Sequence, residues 1–246
     1  MGDEDEFRET FFAAARDEGS RGAREEVGRA LVTAFRETGN WLWVTGYMIG
    51  GDRANGRSPF GFGNDAAVGL ATVAQVAGEL CGGIVVLLES GNSYAAHALL
   101  RQLVEAEYLL WAFAEDEREA AQWMRSSKEE RMKMWQPRHI RDRAAGRFRS
   151  ADYGMHCELG GHPTPSAKEL LPNHEQRPIS VAWLELARHG TSAWRYLLAA
   201  MQRFEFKNSS GYADLASLQH AIDRWNAEDK LQHLVVAQRL HSDPSD

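Results

Sequence analysis

The sequence predicts an all-α protein: a multi-helix bundle built on a central antiparallel hairpin of two long apolar helices, at about residues 65–89 and 93–114. Both segments are rich in apolar residues, which in the second recur with the 3.6-residue period of a helix. The short connection at residues 90–92 favours an antiparallel pair. No stretch alternates with period two for long enough to indicate a strand.

The length of 246 residues allows one large domain or two small ones, and we expect residues 1–246 to form a single helical domain. Eight Trp and ten Phe supply bulky core material, which excludes disorder for most of the chain. Cys81 and Cys157 lie far apart and form no CxxC pair, which favours a reducing compartment. The N-terminus has no signal-peptide pattern, so we expect a cytoplasmic protein.

The first quarter of the chain predicts a peripheral acidic helix at residues 1–20 and an amphipathic stretch after it. At Gly39 and Asn40 that stretch either continues as one helix or begins a second. Residues 50–64 are rich in Gly and are predicted to form a loop. The glycines match neither phosphate-loop spacing, so we expect no nucleotide site there.

The segment from residue 66 to residue 88 is long enough to span a bilayer, with Glu79 as its one charged residue. A charge at mid-span costs a few kcal/mol, and most of the apolar residues here are Ala and Gly rather than Leu. Basic residues do not flank the segment closely. We therefore expect a buried core helix and no membrane partner.

The second helix of the hairpin carries a polar stripe. His97, Arg101, Glu105 and Tyr108 follow one another at steps of four, four and three residues, so they share a face. One interpretation is a solvated face with an ordinary Arg–Glu pair. The other is a buried or cleft-lining polar ladder, because apolar residues flank the stripe closely.

Residues 125–149 form a basic segment in an acidic protein. Nine basic and three acidic side chains give it a formal charge of +6, whereas the whole chain carries −7. Such a segment is typical of a site for RNA or for a phosphate-containing ligand, and it would equally suit docking of the acidic N-terminus. Within it, Ser127 and Glu130 have the spacing of a capping box, and Pro137 ends or kinks the helix that follows.

A loop rich in His, Gly and Pro is predicted at residues 152–178. It places His156, Cys157, Glu158 and His162 close together in sequence, and Cys and His are zinc ligands. Their spacing is not that of a structural zinc site, and no HExxH or ExxH pair occurs. We therefore expect neither a metal nor another cofactor.

The helix LLRQLVEAEYLL, followed some 45 residues later by DYGMHCELGGHP, resembles a widespread family of uncharacterised bacterial helical proteins. In that family an Arg-x3-Glu helix is followed by a Tyr and by a His-Pro or similar His turn. The matching positions are Arg101, Glu105, Tyr153, His162 and Pro163, and the likeness covers roughly residues 70–170. The resemblance implies a bacterial helical protein, but no activity, because none is established for the family.

A second resemblance concerns Arg149 and His156, which six residues separate. This spacing is similar to the Arg-x4–6-His signature of the HEPN ribonucleases of toxin–antitoxin and anti-phage systems. The resemblance implies a metal-independent ribonuclease. In it His156 would assist attack by the RNA 2′-hydroxyl and Arg149 would stabilise the charged phosphorane, usually across a dimer.

Three functions remain open, and the sequence does not decide whether the protein is an enzyme. The first is a site for a polar or phosphorylated small molecule, where the Arg101/Glu105 helix meets the Tyr153/His162 loop. Its ligand-binding residues would be His97, Arg101, Glu105, Tyr108, Tyr153 and His162. The second is the ribonuclease, with Arg149 and His156 as catalytic residues. The third is a non-catalytic homodimeric interaction module, whose polar stripe is a buried specificity device.

Overall fold

The computed structural model describes residues 3–48, 64–171, 177–203 and 215–241. Within these ranges lie eleven α-helices and one 3-10 helix, packed against one another, and no strand. The predicted all-α multi-helix bundle is therefore confirmed. The predicted Gly-rich loop lies outside the described residues, apart from Asn64 at its end.

The helices follow one another through mostly short connections. In chain order they are α1 (Asp3–Arg16), α2 (Glu18–Met48), α3 (Asp65–Glu89), α4 (Ser93–Glu115), α5 (Glu117–Arg125), α6 (Lys128–Met134), α7 (Pro137–Arg143), α8 (Ser150–Gly160), the 3-10 helix (Pro165–Leu170), α9 (Arg177–Arg203), α10 (Leu215–Glu228) and α11 (Lys230–His241). The predicted acidic helix corresponds to α1. α2 runs without a break through Gly39 and Asn40.

The predicted central hairpin is formed by α3 and α4. The side chain of Asn64 accepts hydrogen bonds from the backbone N–H groups of Ala66 and Ala67, which fixes the start of α3. Gly91 ends α3 with a φ of +78°, a left-handed conformation that Gly adopts without steric cost. Asn92 then caps α4. Local capping signals thus set the turn.

α3 lies at the centre of the bundle, where it contacts α2, α4, α5 and α9. Small residues let α2 approach closely: a Cβ atom at Gly39 would lie 2.7 Å from Cγ of Gln75. Among the described helices, α3 has the length and apolar composition needed to cross a membrane, yet most of its residues are buried inside the protein. Fully buried side chains of the surrounding core include Phe35, Leu70, Ile84, Leu100, Leu110 and Trp183.

Residues 150–160 correct the prediction of a loop at 152–178, because they form α8. Gly, Tyr and His have low helix propensity, so the sequence alone disfavours a helix here. Packing against α4 stabilises it instead. Gly160 lies directly against the backbone of His97, where a side chain would collide with α4. The remainder of the predicted loop contains the 3-10 helix and residues 172–176, which lie outside the described ranges.

The charged stretch after α4 folds into three short helices, α5, α6 and α7. Ser127 and Glu130 form the predicted capping box. The side chain of Ser127 accepts from the N–H of Glu130 at 3.2 Å, and Glu130 accepts from the N–H of Ser127 at 2.7 Å. Pro137 begins α7, where its missing N–H costs no hydrogen bond.

Candidate functional site

α4 and α8 bring together three of the residues that the sequence assigned to a ligand site. Nη2 of Arg101 lies 3.0 Å from Oε1 of Glu105, and the hydroxyl of Tyr153 donates to the same oxygen at 2.8 Å. The Arg101 and Glu105 side chains are 33% and 32% exposed, so the stripe is half-buried along the seam between the two helices. Burial raises the pKa of Tyr153 to about 12, which keeps its hydroxyl protonated.

The other three predicted ligand residues take no part in these hydrogen bonds. Nδ1–H of His97 donates to the carbonyl of Ser93 at 2.8 Å, and burial lowers the pKa of this histidine. Tyr108 is buried in an aromatic cluster. His162 is exposed beyond the end of α8, and no hydrogen bond or ion pair within the described ranges joins it to Arg101 or Glu105. His162 therefore does not belong to the site that the structure builds.

Arg141, from the predicted basic segment, completes the seam. Its guanidinium carbon lies 4.4 Å from the centre of the Tyr153 ring, a cation–π contact. Nε and Nη1 of Arg141 and Nε of Arg101 are buried, and no hydrogen-bond acceptor reaches them within the part of the chain that the structure describes. The adjacent aromatic cluster contains Tyr108 and Phe148, whose ring centres are 4.1 Å apart.

The two residues of the ribonuclease hypothesis lie in different environments. Arg149 is exposed at the N-cap position of α8, whereas His156 is 1% exposed and points into the bundle. Seven residues of helix place them about 10 Å apart along the helix axis. A phosphate contacting both would need an accessible His156, so the geometry of this chain gives the hypothesis no support.

His156 instead belongs to a buried cluster of two histidines and two glutamates, which the sequence did not predict. Its Nε2 lies 3.1 Å from Nε2 of His189 and 3.5 Å from Oε2 of Glu185. The same carboxylate oxygen lies 3.1 Å from Nε2 of His189. On its other side, Nδ1–H of His189 donates to Oε2 of Glu107 at 2.6 Å. Three helices contribute: α4 (Glu107), α8 (His156) and α9 (Glu185 and His189).

Opposite charges stabilise one another in and beside this cluster. Burial alone would lower the pKa of His189, but the charge of Glu107 and the hydrogen bonds to Glu107 and Glu185 raise it to about 9. Burial likewise opposes ionisation of Glu185, whereas hydrogen bonds from His156 and His189 hold its pKa well below the usual range. Nη1 of Arg188 donates to the second oxygen of Glu185 at 3.0 Å. His189 and Arg188 therefore form ion pairs with the carboxylates of Glu107 and Glu185.

One part of this cluster has a sequence signal. Glu185 and His189 are four residues apart in LELARH, so they share a face of α9, and that face also carries buried apolar residues. Ionisable residues on an apolar face are rarely buried without partners. Their partners Glu107 and His156 come from distant parts of the chain, and no spacing predicts them.

A scan against protein-family models, a search of curated proteins and a search of solved structures each found no match. The resemblances noted from the sequence therefore stay predictions, and the function must be inferred from the geometry of this chain.

Proposed function

We propose that the protein binds a small phosphate-bearing ligand at the seam of α4, α7 and α8, where Arg101 and Arg141 recognise the phosphate. One observation carries the proposal: Nε of Arg101 and Nε and Nη1 of Arg141 are buried N–H groups without an acceptor among the described residues. An unsatisfied buried donor costs about 1–3 kcal/mol, and more when it is charged. A ligand that supplies acceptors would remove this cost.

A phosphate suits these groups better than a neutral acceptor does. Guanidinium is always charged, and its planar fork of N–H groups matches two oxygens of a phosphate. Glu105 already compensates the charge of Arg101. Arg141 has a cation–π contact with Tyr153, but no carboxylate within the described ranges forms an ion pair with it. An anionic ligand would supply the missing charge.

The neighbouring aromatic cluster favours a phosphate attached to an organic group. Tyr153 packs against Tyr108 with ring centres 6.0 Å apart, and Phe148 packs against Tyr108 and Trp111. The indole N–H of Trp111 is a further buried donor without a partner in the described structure. Aromatic walls with a few polar groups are typical of small-molecule sites.

The charge of the surroundings supports the same ligand class. Segment 125–149 keeps exposed basic side chains around α7, among them Arg138, Arg147 and Arg149. Clustered charge of one sign attracts ions of the opposite sign over several ångströms, even on a protein whose net charge is −7. Anions would therefore be concentrated near Arg141.

Calorimetric titration of the full-length chain tests the proposal, with inorganic phosphate, phenyl phosphate and adenosine monophosphate as probes at low salt. We expect Arg141→Gln to weaken phenyl phosphate binding about 10- to 100-fold, because one charge-assisted hydrogen bond contributes about 1.5–3 kcal/mol. Arg138→Gln is the matched control. Arg138 lies on the same helix and carries the same charge, but its side chain is 80% exposed.

Two outcomes would contradict the proposal: no probe binds at millimolar concentration, or Arg138→Gln weakens binding as much as Arg141→Gln. If phenyl phosphate binds no more tightly than inorganic phosphate, the site binds anions but makes no aromatic contact with the ligand. A separate experiment, in which RNA is incubated with the protein and a chelator, tests the ribonuclease hypothesis. Cleavage that depends on His156 would favour the ribonuclease hypothesis instead.

A further inference from the structure

The facing atoms of His156, Glu185 and His189 have the arrangement of one face of a metal coordination tetrahedron. The separations between them are 3.1, 3.1 and 3.5 Å. Zinc–nitrogen and zinc–oxygen bonds of about 2.0–2.2 Å give tetrahedral edges of roughly 3.3–3.6 Å. An ion could therefore be accommodated by side-chain shifts of about a few tenths of an ångström.

Hydrogen bonding accounts for this arrangement only in part. Each Nε2 atom carries at most one proton, and the carboxylate of Glu185 accepts but does not donate. If His156 and His189 both donate from Nε2 to Glu185, their two N–H groups face each other across 3.1 Å. If one of the two rings has no proton on Nε2, its contact with the Glu185 carboxylate is not a hydrogen bond. A cation between the three atoms would accept a lone pair from each.

Groups behind His189 and Glu185 would hold these two side chains in the orientation that a metal requires. Glu107 accepts from Nδ1–H of His189 at 2.6 Å, so a metal ion that displaces the proton on Nε2 would meet a lone pair directed towards the cluster. Arg188 binds one oxygen of Glu185 at 3.0 Å and leaves the other facing the two histidines. A carboxylate behind a ligating histidine is a recurrent feature of metal sites.

The scaffold is also suited to a metal site, because all three side chains project from helices. Glu185 and His189 lie one turn apart in the middle of α9, a helix of 27 residues. His156 is presented by α8, which the close approach of Gly160 to the backbone of His97 holds against α4. The exposed fractions of the His156, Glu185 and His189 side chains are 1%, 8% and 16%, so the cluster is partly reachable on the His189 side.

We propose that His156, Glu185 and His189 bind a divalent transition-metal ion of the zinc class, with Glu107 as a positioning residue for His189. Two imidazoles and one carboxylate suit zinc and neighbouring first-row ions, whereas Mg²⁺ and Ca²⁺ prefer sites built from oxygen alone. Three protein ligands leave a fourth position for water or a ligand atom, as in catalytic rather than structural zinc sites. The metal site does not depend on the proposed phosphate site.

The test is titration of metal-stripped, full-length protein with Zn²⁺ and with Co²⁺, whose visible absorption distinguishes four-coordinate from six-coordinate binding. We expect stoichiometric binding and four-coordinate Co²⁺ spectra for the wild type. His189→Gln should abolish both. Glu107→Gln should weaken zinc binding about 10- to 100-fold without abolishing it, because it removes the charge behind His189 but none of the three ligands.

His162→Gln is the matched control, since it removes an exposed histidine close to α8 and should leave zinc affinity unchanged. Circular dichroism identifies variants that fail to fold, and if His189→Gln is one of them, Glu107→Gln decides. The proposal is overturned if the wild type takes up no stoichiometric ion, if Glu107→Gln binds zinc like the wild type, or if His162→Gln loses binding as well.

Discussion

Replacing Glu107 by Gln tests whether buried carboxylates hold a proton on His189 in the metal-free protein. The pKa of His189 is raised from 6.5 to about 9. A group whose pKa is raised by folding stabilises the folded state fully below its unfolded pKa and loses this effect as pH rises to its folded pKa. For His189 the loss falls between pH 6.5 and pH 9. At about 1.4 kcal/mol per pKa unit, the full contribution is about 3 kcal/mol.

The substitution retains volume and a hydrogen-bond acceptor but removes the charge of Glu107, the foremost cause that raises the pKa of His189. Urea unfolding in a chelator should show Glu107→Gln less stable than the wild type at pH 6, by up to about 3 kcal/mol, and the gap should shrink by pH 9. Glu105→Gln is the control, because Glu105 lies on the same helix but pairs with Arg101. Equal pH slopes for the wild type and Glu107→Gln would refute the reasoning.

Three further perturbations concern the acid side of this cluster, a buried ion pair and the end of α8. Because folding lowers the pKa of Glu185, the stabilising effect of this carboxylate should be lost as pH falls below about 4.5. In acid unfolding, the stability of Glu185→Gln should therefore depend less steeply on pH than that of the wild type. Asp229→Ala should lower the free energy of unfolding in urea by about 3–5 kcal/mol, because it leaves the charge of Arg24 without its partner in a site where both side chains are 0% exposed. A loss of less than about 1 kcal/mol would contradict this. Gly160→Ala should push α8 away from α4 and lower the free energy of unfolding by about 1–3 kcal/mol. Gly154 lies on the same helix with open space around it, so Gly154→Ala should leave thermal stability unchanged or raise it.

The parts of the fold that the sequence predicts are those with local causes. The hairpin of α3 and α4 follows from apolar periodicity together with Asn64, Gly91 and Asn92, whose capping roles depend on neighbours within a few residues. α8 has no such local cause. Its helix depends on contact with α4, and the role of Gly160 becomes visible only when the backbone of His97 lies beside it. Propensity alone therefore predicts a loop there.

The same distinction applies to the candidate sites. Arg101 and Glu105 pair because they lie four residues apart on one helix, and the resemblance to a family added Tyr153. The hydrogen bond between Glu107 and His189 joins residues 82 positions apart, so chain spacing carries no information about it. The contact of His156 in α8 with Glu185 and His189 in α9 likewise forms only in the folded chain, so short spacing alone does not reveal the cluster.

α8 connects the two proposed sites, because Tyr153 and His156 lie one turn apart on it and contact different partners. A ligand at either site that holds α8 against α4 would favour binding at the other, and such coupling is reciprocal in free energy. Zinc should then raise the affinity for phenyl phosphate by the same factor by which phenyl phosphate raises the affinity for zinc. Gly160→Ala should weaken both without removing a ligand-binding group. Normal affinities in this variant would show that the position of α8 does not couple the sites.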